Sequence, residues 1–306
     1  MPIPNLCPLC KSDSKCQSVV TPHVYGDVTK SHAFFRCKSC DVIYQYPFLT
    51  PEEESKFYNK EFEAYMNGRS GKQGGWLDPE SHILANGSTV QRRLKYLIPH
   101  IKSNSKVLEV GCSSGFMLFP LREMGHTCYG IEPSGIFSEF LRERKIPVYS
   151  NLNELEQSNE SLDFDIIQHF FVLEHISDPI NFLSEQMKLL KPGGKLIFEV
   201  PNSADALFTI YDVPAFERFF WSIAHPYYFS EKSLRFVLDS LGFSYEIHLQ
   251  QRYDLSNHFT WALEGKPGGM NKYSHKFGQN IEDAYKDALV SSGNCDTLIG
   301  VIIKSC

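Results

Sequence analysis

The stretch Lys106-Val-Leu-Glu-Val-Gly-Cys-Ser-Ser-Gly-Phe116 is a short apolar run that ends in two glycines. It reads as a strand that stops and turns tightly beneath a nucleotide-like ligand, because glycine lets the backbone come close. Several unrelated cofactors sit on strand–glycine–helix turns, so the spacing decides between them. A dinucleotide turn requires G-x-G-x-x-G. Here Gly111 takes the first place, Ser113 and Phe116 take the other two, and the second glycine falls at Gly115. The pattern argues against a pyrophosphate. It favours a smaller nucleoside whose ribose diol needs an acid at the end of the next strand. Glu132, in Gly130-Ile-Glu-Pro133, is that acid, and one carboxylate accepts hydrogen bonds from both ribose hydroxyls.

Outward from this turn, strand-sized apolar runs at 106–110, 127–131, 146–149, 164–168 and 195–200 alternate with helical patterns. The helices are expected at 81–98, 114–124, 134–144, 178–190 and 231–241. The alternation predicts an α/β fold, a parallel sheet with helices on both faces. Runs at 244–249 and 297–304 read as closing strands, with a polar helix at 281–290 between them. Pro120 is expected to bend its helix or to leave a carbonyl free.

Four pieces now stand in order: Val107-Leu-Glu-Val-Gly-Cys-Ser-Ser-Gly115; Gly130-Ile-Glu-Pro133; Phe164-Asp-Ile-Ile-Gln-His-Phe-Phe-Val-Leu-Glu-His175 with Asp178-Pro179; and Leu190-Lys-Pro-Gly-Gly-Lys-Leu-Ile-Phe198. Over roughly residues 80–250 the chain resembles class I S-adenosylmethionine-dependent methyltransferases. The resemblance implies a Rossmann-like, seven-stranded, mostly parallel sheet whose last strand is antiparallel. It implies that Glu109, Gly111 and Gly115 frame the methionine end of the donor and that Glu132 holds the ribose, with Cys112, Phe116 and Pro133 also among the cofactor-binding residues. Asn151 and Leu152 flank the adenine, and Gln168 and His169 face the sulfonium. Glu174-His175 fits the family pattern too and reads as packing and hydrogen bonding at a helix start.

Cys7-Pro-Leu-Cys10 and Cys37-Lys-Ser-Cys40 are two C-x-x-C knuckles. Each gives two thiolates to one ion, and four thiolates satisfy tetrahedral zinc with no open position, so the site reads as structural. The nine cysteines are an odd number, which argues against a disulfide framework. Cys16 reads as a bystander, and Cys112, Cys128, Cys295 and Cys306 as ordinary thiols. Three regions follow: a zinc ribbon over 1–50, a helical linker or lid over 51–80, and the methyltransferase domain over 81–306. Thr50-Pro-Glu-Glu-Glu reads as a capped helix start. The glycine-rich 67–75 reads as a joint, and Tyr58 and Tyr65 as side chains that close over the cofactor or simply pack.

For the acceptor, the candidate base is His225 in Phe219-Phe-Trp-Ser-Ile-Ala-His225-Pro-Tyr-Tyr-Phe-Ser230. An N-terminal four-cysteine site ahead of such a core resembles bacterial sugar C-methyltransferases, whose Tyr-x-Glu-His segment aligns its histidine on His225. Their glutamate and tyrosine fall on Ala224 and Ser222, which removes the specific argument for C-methylation. The segment 250–259 with Gly265-Lys-Pro-Gly-Gly269 resembles methyltransferases of bacterial surface-polysaccharide gene sets. Arg252, Asn257 and His258 are polar groups of the right types to bind a sugar or its diphosphate, and Lys266 stands in a glycine-rich turn from which it could touch phosphate, although five residues do not make a P-loop. The expected acceptor is sugar-like. An unrelated lipid or secondary metabolite, or a non-catalytic binding module, are the competing readings.

Composition agrees with a cytoplasmic enzyme of small molecules. A 306-residue chain with 42% hydrophobic residues buries one large core and a small satellite. A net charge of −6 speaks against nucleic acid or an anionic membrane as partner. The apolar runs are strand-sized, too short for a membrane span. The oligomeric state is not encoded legibly.

Overall fold

Three short strands, β1 (Gln17–Thr21), β2 (Ala33–Cys37) and β3 (Ile43–Tyr46), open the chain as an antiparallel meander. The structure, a computed structural model, describes residues 3–57, 65, 69, 78–158 and 162–305. Tyr58, Cys306 and the expected joint at 67–75, apart from residue 69, lie outside the described residues. Helix Pro51–Lys56 starts as its sequence dictates. Thr50 Oγ1 accepts from Glu53 N at 3.2 Å, and Glu53 Oε2 accepts from Thr50 N at 2.8 Å.

The larger sheet is built from β4 (Lys106–Val110), β5 (Thr127–Ile131), β6 (Val148–Tyr149), β7 (Phe164–Phe170), β8 (Leu190–Pro201), β10 (Ser244–Gln250) and β11 (Thr297–Ile303), with β9 (Tyr227–Tyr228) outside it. Its order is β10-β11-β8-β7-β4-β5-β6, and β11 alone runs antiparallel to its neighbours. The seven-stranded, mostly parallel sheet is the expected one. Val107, Leu108, Glu109 and Val110 of β4 are all buried, as in a strand covered on both faces. The chain leaves β4 toward β5 on one side and returns as β7 on the other. This switch point opens a crevice at the carboxyl ends of β4 and β7.

Several boundaries move for physical reasons. The helix expected at 114–124 begins only at Leu118, because residues 111–117 are consumed by the turn. Pro120 therefore sits in the first helical turn, where its missing N–H costs nothing. The helix expected at 81–98 is two, Pro79–Ala85 and Gly87–Leu97, joined at Asn86. The strand expected at 146–149 shrinks to two residues, and that at 195–200 extends back to Leu190. Helices Pro214–Phe220 and Leu255–Glu264 were not legible as such. Among the described residues no helix is long and apolar enough to cross a membrane.

Two contacts between elements position everything that follows. Glu199 of β8 is fully buried and receives Arg93 Nε at 2.9 Å, Tyr96 Oη at 2.7 Å and Arg92 Nη2 at 3.1 Å. The helix Gly87–Leu97 is thereby pinned across the sheet. The second contact joins the ribbon to the core. β9 pairs antiparallel with β3 (Ile43 opposite Tyr228, Tyr44 opposite Tyr227), so the ribbon's meander gains a fourth strand from far down the chain. Tyr25 N donates to Trp221 O at 2.6 Å and Ile223 N donates to Tyr25 O at 2.9 Å. The loop that carries His225 is thus held by the ribbon on both sides.

Candidate active site

The turn after β4 is built as its glycines require. Gly111 (φ +71°) has a left-handed backbone, and a Cβ there would stand 2.7 Å from Val172 Cγ2. At Gly115 (φ +76°) a Cβ would run into Leu141. Ser113 also adopts a positive φ of 51°, which aims its N–H at Glu132 Oε2, 2.7 Å away. Ser134 N donates to the other carboxylate oxygen at 2.8 Å. Glu132 is therefore fixed across the ends of β4 and β5 with lone pairs to spare for a ligand's hydroxyls. Burial raises its pKa, against the pull of these two amides. Glu109, wholly buried, is pushed up to about 8 by burial, which Arg93 and the Gln168 amide at 3.3 Å only partly oppose.

A cleft of about 440 Å³ opens from this turn. Glu109, Gly111, Ser113 and Phe116 line it at the turn. Glu174, His175, His225 and Arg252 line it as well, together with the rings of Phe171, Phe216 and Phe219. A broader depression of about 580 Å³ lies beside the ribbon at Asp41, Lys232 and Arg235, away from the glycine turn.

The expected donor residues divide. Cys112 is buried beneath the turn, in contact distance of Gly130, and does not line the cleft. Gln168 lies opposite Glu109 in the β4–β7 register. His169 alternates to the other face of the sheet, stacked on Phe198 at 5.0 Å, and burial pushes it down to about 3. Asn151 caps the helix Leu152–Glu156, and Leu152 lines a separate cleft of about 280 Å³ with Asp178 and Phe182. Pro133 follows Glu132 on the surface side of the turn, exposed.

The expected acceptor residues divide likewise. Arg252 lines the cleft, held by Asp296 (Nε to Oδ1, 3.1 Å) and lying 4.3 Å over the Phe171 ring. Asn257 and His258 are buried on helix Leu255–Glu264 and do not line the cleft. Asn257 Nδ2 donates to Gly268 O at 2.7 Å, and His258 pairs with Tyr285 and Gln251. Lys266 pairs with Glu264 at 2.9 Å on the surface. His225 reaches the cleft beside His175, ring centroids 4.6 Å apart, and burial lowers its pKa well below the usual imidazole value. Tyr65 lines the cleft too and donates or accepts at Ser222.

Sequence reasoning missed His82, whose Nδ1 lies 2.9 Å from Ser114 Oγ over the glycine turn, and Arg93, 4.0 Å over the Phe170 ring. Neither sits in a motif. Both arrive from helices whose placement depends on the sheet.

The four ribbon thiols converge. Cys7 and Cys40 Sγ lie 3.7 Å apart, and Cys10 and Cys37 Sγ 3.5 Å apart. A tetrahedral site with bonds of about 2.3 Å has edges of about 3.8 Å, so the spacing fits a four-thiolate ion. Gln17 Nε2 approaches Cys37 Sγ at 3.8 Å, and Gln17 Oε1 accepts from Tyr44 Oη at 2.9 Å, an outer shell for that thiolate. Cys16 is not one of the four.

Comparison with known proteins agrees with this geometry. A family model described as a methyltransferase domain matches residues 84–247. A ubiquinone biosynthesis O-methyltransferase of Methylococcus capsulatus is 27% identical over 134 residues, 42% of this chain and 56% of that protein. A tRNA U34 carboxymethyltransferase of Hydrogenovibrio crunogenus is 28% identical over 170 residues, 51% of this chain and 49% of that protein. The chain spans about half the length of these curated relatives. Among solved structures, a chain from the complex of the Haloferax volcanii Trm112 methyltransferase activator with a methyltransferase superposes with a TM-score of 0.51. It is 15% identical, covering 80% of this chain and 98% of that one, a likeness of fold. The chain belongs to the methyltransferase-domain family, and its core is a class I S-adenosylmethionine-dependent methyltransferase domain.

Proposed function

We propose that the protein transfers a methyl group from S-adenosylmethionine to a sugar or nucleotide-sugar-like small molecule in surface-glycan biosynthesis, and that its ribbon holds a structural zinc ion. The observation that carries the acceptor reading is the polar part of the cleft lining. Glu174, His175, His225 and Arg252 supply donors and acceptors between aromatic rings, a lining suited to a hydroxyl-rich molecule.

S-adenosylmethionine, when bound, supplies an electrophilic methyl group on its sulfonium. The chain's own part is mostly positional. Gly111 and Gly115 let the backbone close on the donor, Glu132 accepts from the ribose, and Glu109 stands at the methionine end. Phe116 and Phe171 exclude water between donor and acceptor. His225 meets the acceptor hydroxyl, either as a base acting alone or as one of a larger set of ligands.

Release of S-adenosylhomocysteine from a panel of acceptors tests the reading. Nucleotide-sugars are expected to give turnover that quinols, lipids and transfer RNA do not. Turnover on quinols or lipids alone would contradict the sugar assignment and leave the methyltransferase assignment intact.

A further inference from the structure

Glu174 and His175 reach the cleft from the 3-10 turn Leu173–His175 after β7, and His225 reaches it from the loop before β9. One ligand atom from each lies within 4.8 Å of the other two. Glu174 is 1% exposed, and its Oε2 has no hydrogen-bond partner among the described residues. Nor has the buried Nδ1 of His225. A carboxylate oxygen and an imidazole nitrogen left unsatisfied side by side are costly unless a shared partner fills the space. His175 donates from Nδ1 to the Ala224 carbonyl at 2.8 Å, which places its ring lone pair on Nε2. Such carbonyl-fixed tautomers are the usual outer shell of metal-binding imidazoles. Each guanidinium that lines the same cleft has its own partner: Arg252 pairs with Asp296 at 3.1 Å, Arg93 pairs with Glu199 at 2.9 Å, and Arg69 lies 4.0 Å over the Phe219 ring.

We propose that Glu174, His175 and His225 bind a divalent first-row cation, and that this cation holds an acceptor bearing two neighbouring oxygens. Two imidazoles and one carboxylate form a facial set that leaves coordination positions open. Bonds near 2.1 Å set ligand edges at roughly 3 Å, so the three side chains close by on the order of an ångström as the cation enters. A vicinal diol then chelates the open positions. The coordinated hydroxyl loses its proton to solvent at the cleft mouth, because the cation lowers the hydroxyl's pKa. Its oxygen forms the new C–O bond as the methyl carbon's bond to sulfur breaks, and that electron pair stays on sulfur. His225 serves as a ligand here, not as a lone base. The chemistry rests on the methyltransferase reading, but the cation site does not.

Manganese titration of the full chain, dialysed against citrate and free of S-adenosylmethionine, tests the site through the electron paramagnetic resonance of free Mn²⁺. About one Mn²⁺ per chain is expected for a single facial set. It should be lost in Glu174→Gln and in His225→Gln, while both variants keep the wild-type S-adenosylmethionine titration as proof of folding. Manganese should also raise turnover on acceptors with a vicinal diol and not on their deoxy analogues. Failure of the wild type to bind Mn²⁺, Co²⁺ or Zn²⁺ beyond the ribbon's ion would overturn the proposal. So would equal Mn²⁺ binding in the two variants. Mn²⁺ binding at this site in a protein that binds neither donor nor demethylated product would uphold the cation site and remove the methyltransferase reading.

Discussion

Glu199→Gln is expected to destabilise the protein by about 3–5 kcal/mol at neutral pH, the usual cost of leaving buried charges without their partner. Glu199 lies on β8 with both Arg92 and Arg93 on its carboxylate and Tyr96 donating to it. Burial alone would raise its pKa, but Arg93 and Arg92 outweigh that and hold it near 2, against an ordinary 4.5. Burial also lowers the Arg93 pKa. The pH dependence in the acid range belongs to the carboxylate. A depressed carboxyl pKa means the unfolded state binds more protons than the folded one between those two values. The contribution is therefore complete above about pH 4.5 and lost as pH falls toward 2, which amounts to about 3 kcal/mol. Urea unfolding of the two proteins from pH 7 downward measures it. The gap between them should narrow below pH 4.5, and a gap independent of pH would show that lost packing, not charge, is responsible.

Removal of the zinc proposed for the ribbon is expected to have the larger structural effect. Structural zinc in four-ligand sites contributes on the order of 10–16 kcal/mol of binding energy to folding. Here the consequence reaches the cleft, because β3 pairs with β9 and Tyr25 brackets Ser222. Phe34 of the ribbon also packs on Trp221 of the same loop, ring centroids 5.4 Å apart. Cys37→Ser should reduce bound zinc from about one per chain to near none and shift tryptophan emission. It should lower turnover by about 100-fold, as a misplaced acceptor wall does. Donor affinity should change little, since Gly111, Gly115 and Glu132 stand on the other sheet. Loss of zinc without loss of turnover would mean that the loop holds His225 in place unaided.

What the sequence disclosed follows from how local each signal is. The glycine turn was legible from 106–116 because a left-handed Gly111 and a crowded Gly115 leave a mark in single residues. The sheet was legible because buried parallel strands read as apolar runs. Asn257 and His258 have the right chemistry for a ligand, but the helix Leu255–Glu264 buries them away from the cleft. Its marks were present: Asp254 Oδ1 accepts from Asn257 N at 2.8 Å at the start, and Gly265 (φ +64°) closes the end. His169 could be separated from Gln168 by strand alternation alone, which sends neighbours to opposite faces. The cluster of Glu174, His175 and His225 lies 50 residues apart in the chain and is assembled only by β9 and its ribbon partner, so no local pattern announces it.

The central claim is that the cleft at Gly111 and Ser113 takes S-adenosylmethionine, with Glu132, which lies behind Ser113 and outside the cleft lining, on its ribose. Calorimetric titration tests it most directly, on the wild type and on Glu132→Ala. The wild type should bind the donor and its demethylated product with a dissociation constant of micromolar order, the range common for enzyme ligands. Glu132→Ala should weaken both by about 10- to 100-fold, the worth of one or two hydrogen bonds to a charged group. Heat absent for both ligands in the folded wild type, or equal affinity in the two proteins, would contradict the account.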